Sequence, residues 1–500
     1  MGLLLPPSLS FIKKLKDIVP PDSDIIISTL TSFLDDFLVN VFHPQLDETL
    51  VELSALTFMD AAAFQQDPEW SKVAKHPILR STSNFYSLIT AFCDMLDTIP
   101  HDQAFSQLII AQMTTYHDKC QEWFNSLTAR SQSQNDASPT KSAAELASSG
   151  KVHDVLLSLF SANDATEKKK LLEKEHGLLI LATNDDVLGP SDLISDRRST
   201  TSLCLLHTSM RWLAAKSSAL RHITANTLDT SSHPNNHARF ARRWTLVNST
   251  PHLPSDNPPS DGPQIYLPMT PDTVQHFDSV LTSYNNLSKL SLLTLHLSLR
   301  FSTIYHISLS LRDEPYLLPY TPITSAVPQL PIPSQSILAL NSGLTIVDEV
   351  LDAHLPRGLH DFLIHGLALL SDTVLVSSAG QISALNQPGR DRVLLNIFIL
   401  QQNLRNIETN GPYPPVLRRS QTYFSLYSKG ADGILDGARA IAAGEGVGEG
   451  QEKYTYDEFK TLMELSFSER LQSERREIAM QAKRELGEKV LGLSEILWAS

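Results

Sequence analysis

Only one cluster in this 500-residue sequence interleaves cations with aromatic rings: Arg239, Phe240, Arg242, Arg243 and Trp244. Such a cluster suits anionic lipid or the acidic face of a partner, because a basic side chain near a charged bilayer contributes about 1 kcal/mol. Lipid-binding segments usually carry roughly four to eight basic residues, so a solvated loop also accounts for it. A second candidate set is His354, His360 and His365. Their spacing scatters them around a helix, whereas a metal-binding helix pairs its histidines at i and i+4. They read as ordinary surface or half-buried histidines. Gly444, Gly446, Gly448 and Gly450 are dense enough for a phosphate cradle, but Glu445 and Glu449 would repel the ligand and no strand leads in. A flexible linker is the simpler reading.

Motifs that activate a nucleophile or hold a metal do not appear: there is no Gly-x-Ser-x-Gly elbow, His-Glu-x-x-His helix, phosphate-loop lysine or paired-cysteine motif. The sequence therefore assigns no catalytic, cofactor-binding or metal residue. An enzyme built from dispersed Asp and His side chains on neighbouring helices is the rival, recognisable by a deep pocket with convergent perturbed carboxylates. The net charge of -14 disfavours nucleic acid, which such a surface repels. Cys93, Cys120 and Cys204 lie far apart in apolar patterns, matching neither a disulfide framework nor a metal spacing, and suit a reducing cytosol. Met1 to Pro7 lacks the basic region and apolar length of a signal peptide, and Pro6 replaces the Ser or Thr that myristoylation of Gly2 prefers. No window offers the roughly 20 apolar residues of a membrane span.

The elements that would position any site are helices. Leu30, Phe33, Leu34, Phe37, Leu38, Val41 and Phe42 share one helical face, after caps at Ser23 and Asp24 and before a stop at Pro44. Apolar stripes recur from Phe85 to Ile99 and from Phe105 to Leu127, and the short link at Pro100 predicts antiparallel packing. Another stripe runs through Leu203, Leu206, Met210, Leu213 and Leu220. Residues 287 to 311 alternate like a strand at Leu295, Leu297 and Leu299, yet are too long for one and carry a helical stripe as well. Pro356 with Gly358, and Pro388 with Gly389, read as stops between later helices. The charged run from Glu469 to Lys489 reads as a solvated face with salt-bridging neighbours.

This pattern predicts helical units at 1–129, 151–227, 270–430 and 454–500, separated by a disordered linker at 130–150, a Pro/Ser/Asn-rich insertion at 228–269 and a Gly-rich acidic linker at 431–453. The expected fold class is all-α, with consecutive helical bundles forming an elongated rod.

Five phrases carry a resemblance. They are Phe33 to Leu46, Leu178 to Thr183 with Leu188-Gly189-Pro190, His207 to Leu213, Asn396 to Leu404, and Tyr454 to Phe459. In this order the chain resembles the C-terminal portion of the Sec-eight subunit family of the exocyst. The resemblance implies a rod of the multisubunit tethering-complex type and a non-enzymatic subunit that helps tether post-Golgi vesicles to the plasma membrane before fusion. It also implies other exocyst subunits as partners, with no cofactor, small-molecule substrate or nucleic acid. It implies a cytoplasmic location with peripheral recruitment to sites of polarised secretion, and that the family's N-terminal coiled segment is missing here. A peripheral lipid-binding module using Arg239 to Trp244 is the alternative.

Overall fold

The computed structural model describes residues 36–97, 103–130, 140–162, 164–185, 188–194, 196–223, 266–320, 331–409, 414–444 and 452–498, with isolated positions before 36. Among them the fold is helical, as expected. The one strand pair joins β1 (Arg221–Ile223) and β2 (Leu267–Met269) in parallel, three residues each.

Contacts gather into two compact units, each drawn from two stretches of chain: 1–127 with 202–292, and 128–201 with 293–500. The first unit contains α1 (His43–Met59), α2 (Arg80–Asp97) and most of α3 (Gln103–Thr128). To these are added α7 (Arg197–Ser218) from Ser202 onward and α8 (Pro271–Asp313) as far as Leu292.

The apolar period builds the first unit. In α2 the residues Phe85, Ile89, Phe92 and Leu96 are buried, and in α3 Phe105, Ile109, Met113, Tyr116 and Phe124 are. The Tyr116 ring stacks on Phe85 with centroids 4.2 Å apart, and its hydroxyl meets Thr82 at 2.8 Å and Ser81 at 3.2 Å. These partners lie equally far on either side of the intervening link, so the two helices are antiparallel, as the short connection predicts. Cys93, Cys120 and Cys204 are buried and free, and burial pushes the Cys93 and Cys120 thiols up to about 12.

Pro44 does not stop its helix. The chain passes through a π-helical turn at Leu38–Phe42, and α1 follows with Pro44 in its first turn. The His43 N–H reaches back to the Leu38 carbonyl, so the wider turn accommodates a residue that has no N–H of its own.

The second unit opens with α4 (Ser142–Ser149), α5 (His153–Ser161) and α6 (Ala165–Asp185). The later part of α8 follows, then α9 (Gln335–His354), α10 (Arg357–Ile364), α11 (Leu367–Ser377) and α12 (Gln387–Ile407). It closes with α13 (Arg418–Tyr427), α14 (Gly430–Ala442), α15 (Tyr456–Leu471) and α16 (Arg476–Trp498).

Two of these helices stand where linkers were expected. In α4, Ala143, Ala144 and Ala147 are buried, and Arg130 pairs with Asp192 at 2.6 Å beside it. In α14, Ile434, Leu435 and Ala438 are buried. In α4 the small side chains let helices approach closely without a bulky stripe. Residues 131–139 and 445–451 lie outside the described residues.

The ambiguous stretch at 287–311 is helix. From Ser291 to Ile304 it is buried almost all round, so its polar positions face neighbours, and small hydroxyls turn back onto the helix. Ser291 donates to the Leu287 carbonyl at 2.8 Å and Thr303 to the Leu299 carbonyl at 2.9 Å. Pro356 separates α9 from α10, directly after the Leu355 cap, and Pro388 lies in the first turn of α12. Asn386 caps α12 by accepting from the Gly389 N–H at 3.0 Å. A Cβ on Gly389 would lie 1.7 Å from the Tyr316 carbonyl oxygen, so only glycine fits this approach.

Candidate functional site

A cluster of four ionisable side chains is buried in the second unit. Glu175 and His176 come from α6, and His296 and Arg300 from α8. His296 and Arg300 are four residues apart, which places them on one face of their helix. Glu175, His296 and Arg300 have no exposed side-chain surface.

Glu175 Oε1 accepts from His296 Nε2–H at 2.7 Å and from Arg300 Nε–H at 3.1 Å. The rest of the guanidinium closes the junction between α10 and α11: Nη1 donates to the Leu363 carbonyl and Nη2 to the His365 carbonyl at 2.7 Å. Gly366 follows with φ +89°, and its N–H donates at 3.0 Å to Glu408, the residue that ends α12. Arg300 thus ties α6 and α8 to the turn between α10 and α11, and Glu408 ties that turn to α12.

The electrostatics suit a fastener. Burial alone would push the Glu175 carboxyl up, but His296 and Arg300 outweigh it and hold the carboxyl well below the usual range. Burial, and then the Arg300 charge, push His296 down. Burial also takes His176 down to about 4. The second oxygen of Glu175, Nδ1 of His296 and both ring nitrogens of His176 are buried without hydrogen-bond partners. Desolvation of this kind is unfavourable, and the arrangement defines one helix register more than it adds stability.

A cleft of about 230 Å³ lies beside the junction, lined by Phe160, Lys168, Asp361, Phe362, His365 and Glu408 among others. Its lining mixes one lysine with two carboxylates. Neither Glu175 nor Asp372, buried carboxylates whose acidity is shifted, lines it.

The three histidines singled out by sequence are not brought together. The His354 ring is 2.7 Å from its own helix at the Val350 carbonyl, and His360 is buried between Asp348 at 2.8 Å and Asp361 at 3.3 Å. His365 lies 2.9 Å from Glu408. Burial of His360 departs from the surface reading. No group of three metal-ligating side chains occurs among the described residues. Arg239, Phe240, Arg242, Arg243 and Trp244 lie outside the described residues.

Other junctions use the same device, and several coincide with the phrases that carry the resemblance. His207 Nδ1–H donates to the Ser288 carbonyl at 2.8 Å, and Ser288 Oγ donates to the His207 carbonyl at 3.0 Å, pinning α7 to α8. Asn396 accepts from the Ser334 N–H at 2.8 Å, and Gln401 from the Leu417 N–H at 2.8 Å. Thr455 and Glu458 form a capping box at the start of α15. Both carboxylate oxygens of Glu458 also accept from Arg419 Nη2, at 2.6 and 2.7 Å, while Tyr454 donates to the Arg419 carbonyl at 2.8 Å. Asp372 caps α13 through the N–H groups of Arg419 and Ser420.

No family model matches the chain. It is similar to the "Probable exocyst complex component sec8" of Neurospora crassa, 40% identical over all of this chain and 47% of that protein. It is also similar to "Exocyst complex component 4" of Homo sapiens, 21% identical over 81% of this chain and 40% of the relative. For "Exocyst complex component sec8" of Schizosaccharomyces pombe the figures are 22%, 81% and 37%. The chain spans about half the length, or less, of these relatives. It is a homologue of exocyst component 4, the protein named sec8 in these two fungal relatives.

Proposed function

We propose that this chain is a non-enzymatic portion of an exocyst subunit, whose helical units hold other exocyst subunits while a secretory vesicle is tethered at the plasma membrane before fusion. The observation that supports this most is similarity along the whole chain to a protein named as an exocyst component. The structure is compatible with it, because Glu175, Arg300, His207 and Asp372 all bond to neighbouring helices. Their work is to fix register, and the resulting rigid helix faces supply binding surface. Association energy comes from apolar patches with polar rims. The chain acts in the cytoplasm and reaches membranes through its partners. A pull-down with the other exocyst subunits tests the reading. Retention of one or more is expected; retention of none, where a full-length homologue succeeds, overturns it.

A further inference from the structure

The outward face of α1 carries more exposed apolar surface than a solvated helix needs. Leu46, Leu50 and Ser54 point into the first unit, while Val51, Leu56 and Met59 on other sides of the helix are 47%, 58% and 76% exposed. Val41, in the π turn just before, is 39% exposed. Glu48, Glu52, Leu56 and Met59 succeed one another at helical spacing, and Val51 lies beside them. Contiguous exposed apolar residues with a polar border are the mark of an interaction surface.

The charge carried by this stretch of chain is of one sign. Residues 30 to 60 hold Asp35, Asp36, Asp47, Glu48, Glu52 and Asp60 and no lysine or arginine. Asp60 is taken by Arg80 at 3.2 Å, whereas no ion pair among the described residues involves Glu48 or Glu52. We propose that the Val51–Leu56–Met59 face of α1 docks a basic amphipathic helix of a partner protein. Apolar residues of that helix, three or four apart, would cover Leu56 and Met59, and flanking Lys or Arg would meet Glu48 and Glu52. Charge disfavours the other occupants. A second copy would set Glu against Glu across a two-fold axis, and an anionic bilayer would meet the same carboxylates.

The inference rests on the scaffold reading only for the origin of the helix. The probe is a fluorescein-labelled peptide with leucines at helical spacing flanked by lysines, titrated against the full chain by anisotropy. Leu56→Ser with Met59→Ser should weaken binding by about tenfold or more. Glu48→Lys with Glu52→Lys should weaken it too, and should create binding to the same peptide flanked by glutamates. All four positions are exposed, and circular dichroism checks that the variants stay folded. Unchanged binding in the serine pair, or unchanged charge preference in the lysine pair, overturns the proposal. So does a concentration-dependent dimer, or binding to phosphatidylserine vesicles, that the serine pair abolishes. Peptide binding that persists when no exocyst subunit is retained refutes the scaffold reading and leaves the surface standing.

Discussion

Arg300 and Glu175 meet at 3.1 Å with neither side chain exposed, across 125 residues of sequence. Breaking a buried pair from one side leaves the other charge uncompensated, so Glu175→Leu should lower the unfolding free energy by about 3–5 kcal/mol. Replacing both, as Glu175→Leu with Arg300→Met, should cost less than the two single changes summed. Urea denaturation of the four proteins checks this, and strict additivity would show that the two groups do not act as a pair.

Gly389→Ala should destabilise by roughly 2 kcal/mol or more, since the new methyl group must displace the Tyr316 backbone. Gly343, inside α9, has open space where a Cβ would stand, with nothing within 4 Å, so Gly343→Ala should stabilise by roughly 0.5–1 kcal/mol. Melting temperatures that move in opposite directions are the expected outcome.

Acid should loosen the first unit through His207. Burial takes its folded value down to about 4, from an ordinary 6.5. The unfolded chain therefore binds the proton first. The contribution is complete above pH 6.5, declines as pH falls below it, and is lost by about pH 4, amounting to about 3 kcal/mol. His207→Asn keeps an N–H donor without a titrating ring and should flatten this part of the profile, read as urea midpoint against pH.

Alanine at Arg239, Phe240, Arg242, Arg243 and Trp244 should leave co-sedimentation with acidic liposomes unchanged if membranes are reached through partners. Loss of vesicle binding would favour the peripheral lipid-binding reading instead.

The α2–α3 hairpin was legible because large apolar side chains recur there at helical spacing, and α8 because its length exceeds any ordinary strand. The helix at 142–149 was not, since its alanines bury little area and leave no bulky stripe, and the one at 430–442 was obscured by Gly433 and Gly437 although it buries Ile434, Leu435 and Ala438. The fastener at Glu175 was hidden for another reason. It follows four lysines closely, in a run that looks like solvated surface, and its partners stand 121 and 125 residues away. A histidine and an arginine four apart within the leucine-rich run of α8 were the available hint.

Each compact unit is assembled from two stretches with part of the other unit's sequence between them. During synthesis the first 127 residues must wait for residues 202–292 before their unit can close, and residues 128–201 must wait for residues 293–500. At about 5–20 residues per second this leaves apolar helix faces uncovered for several seconds or more on the ribosome. A nascent chain of this design calls for chaperone cover, and cutting it at residue 201 would leave neither unit complete.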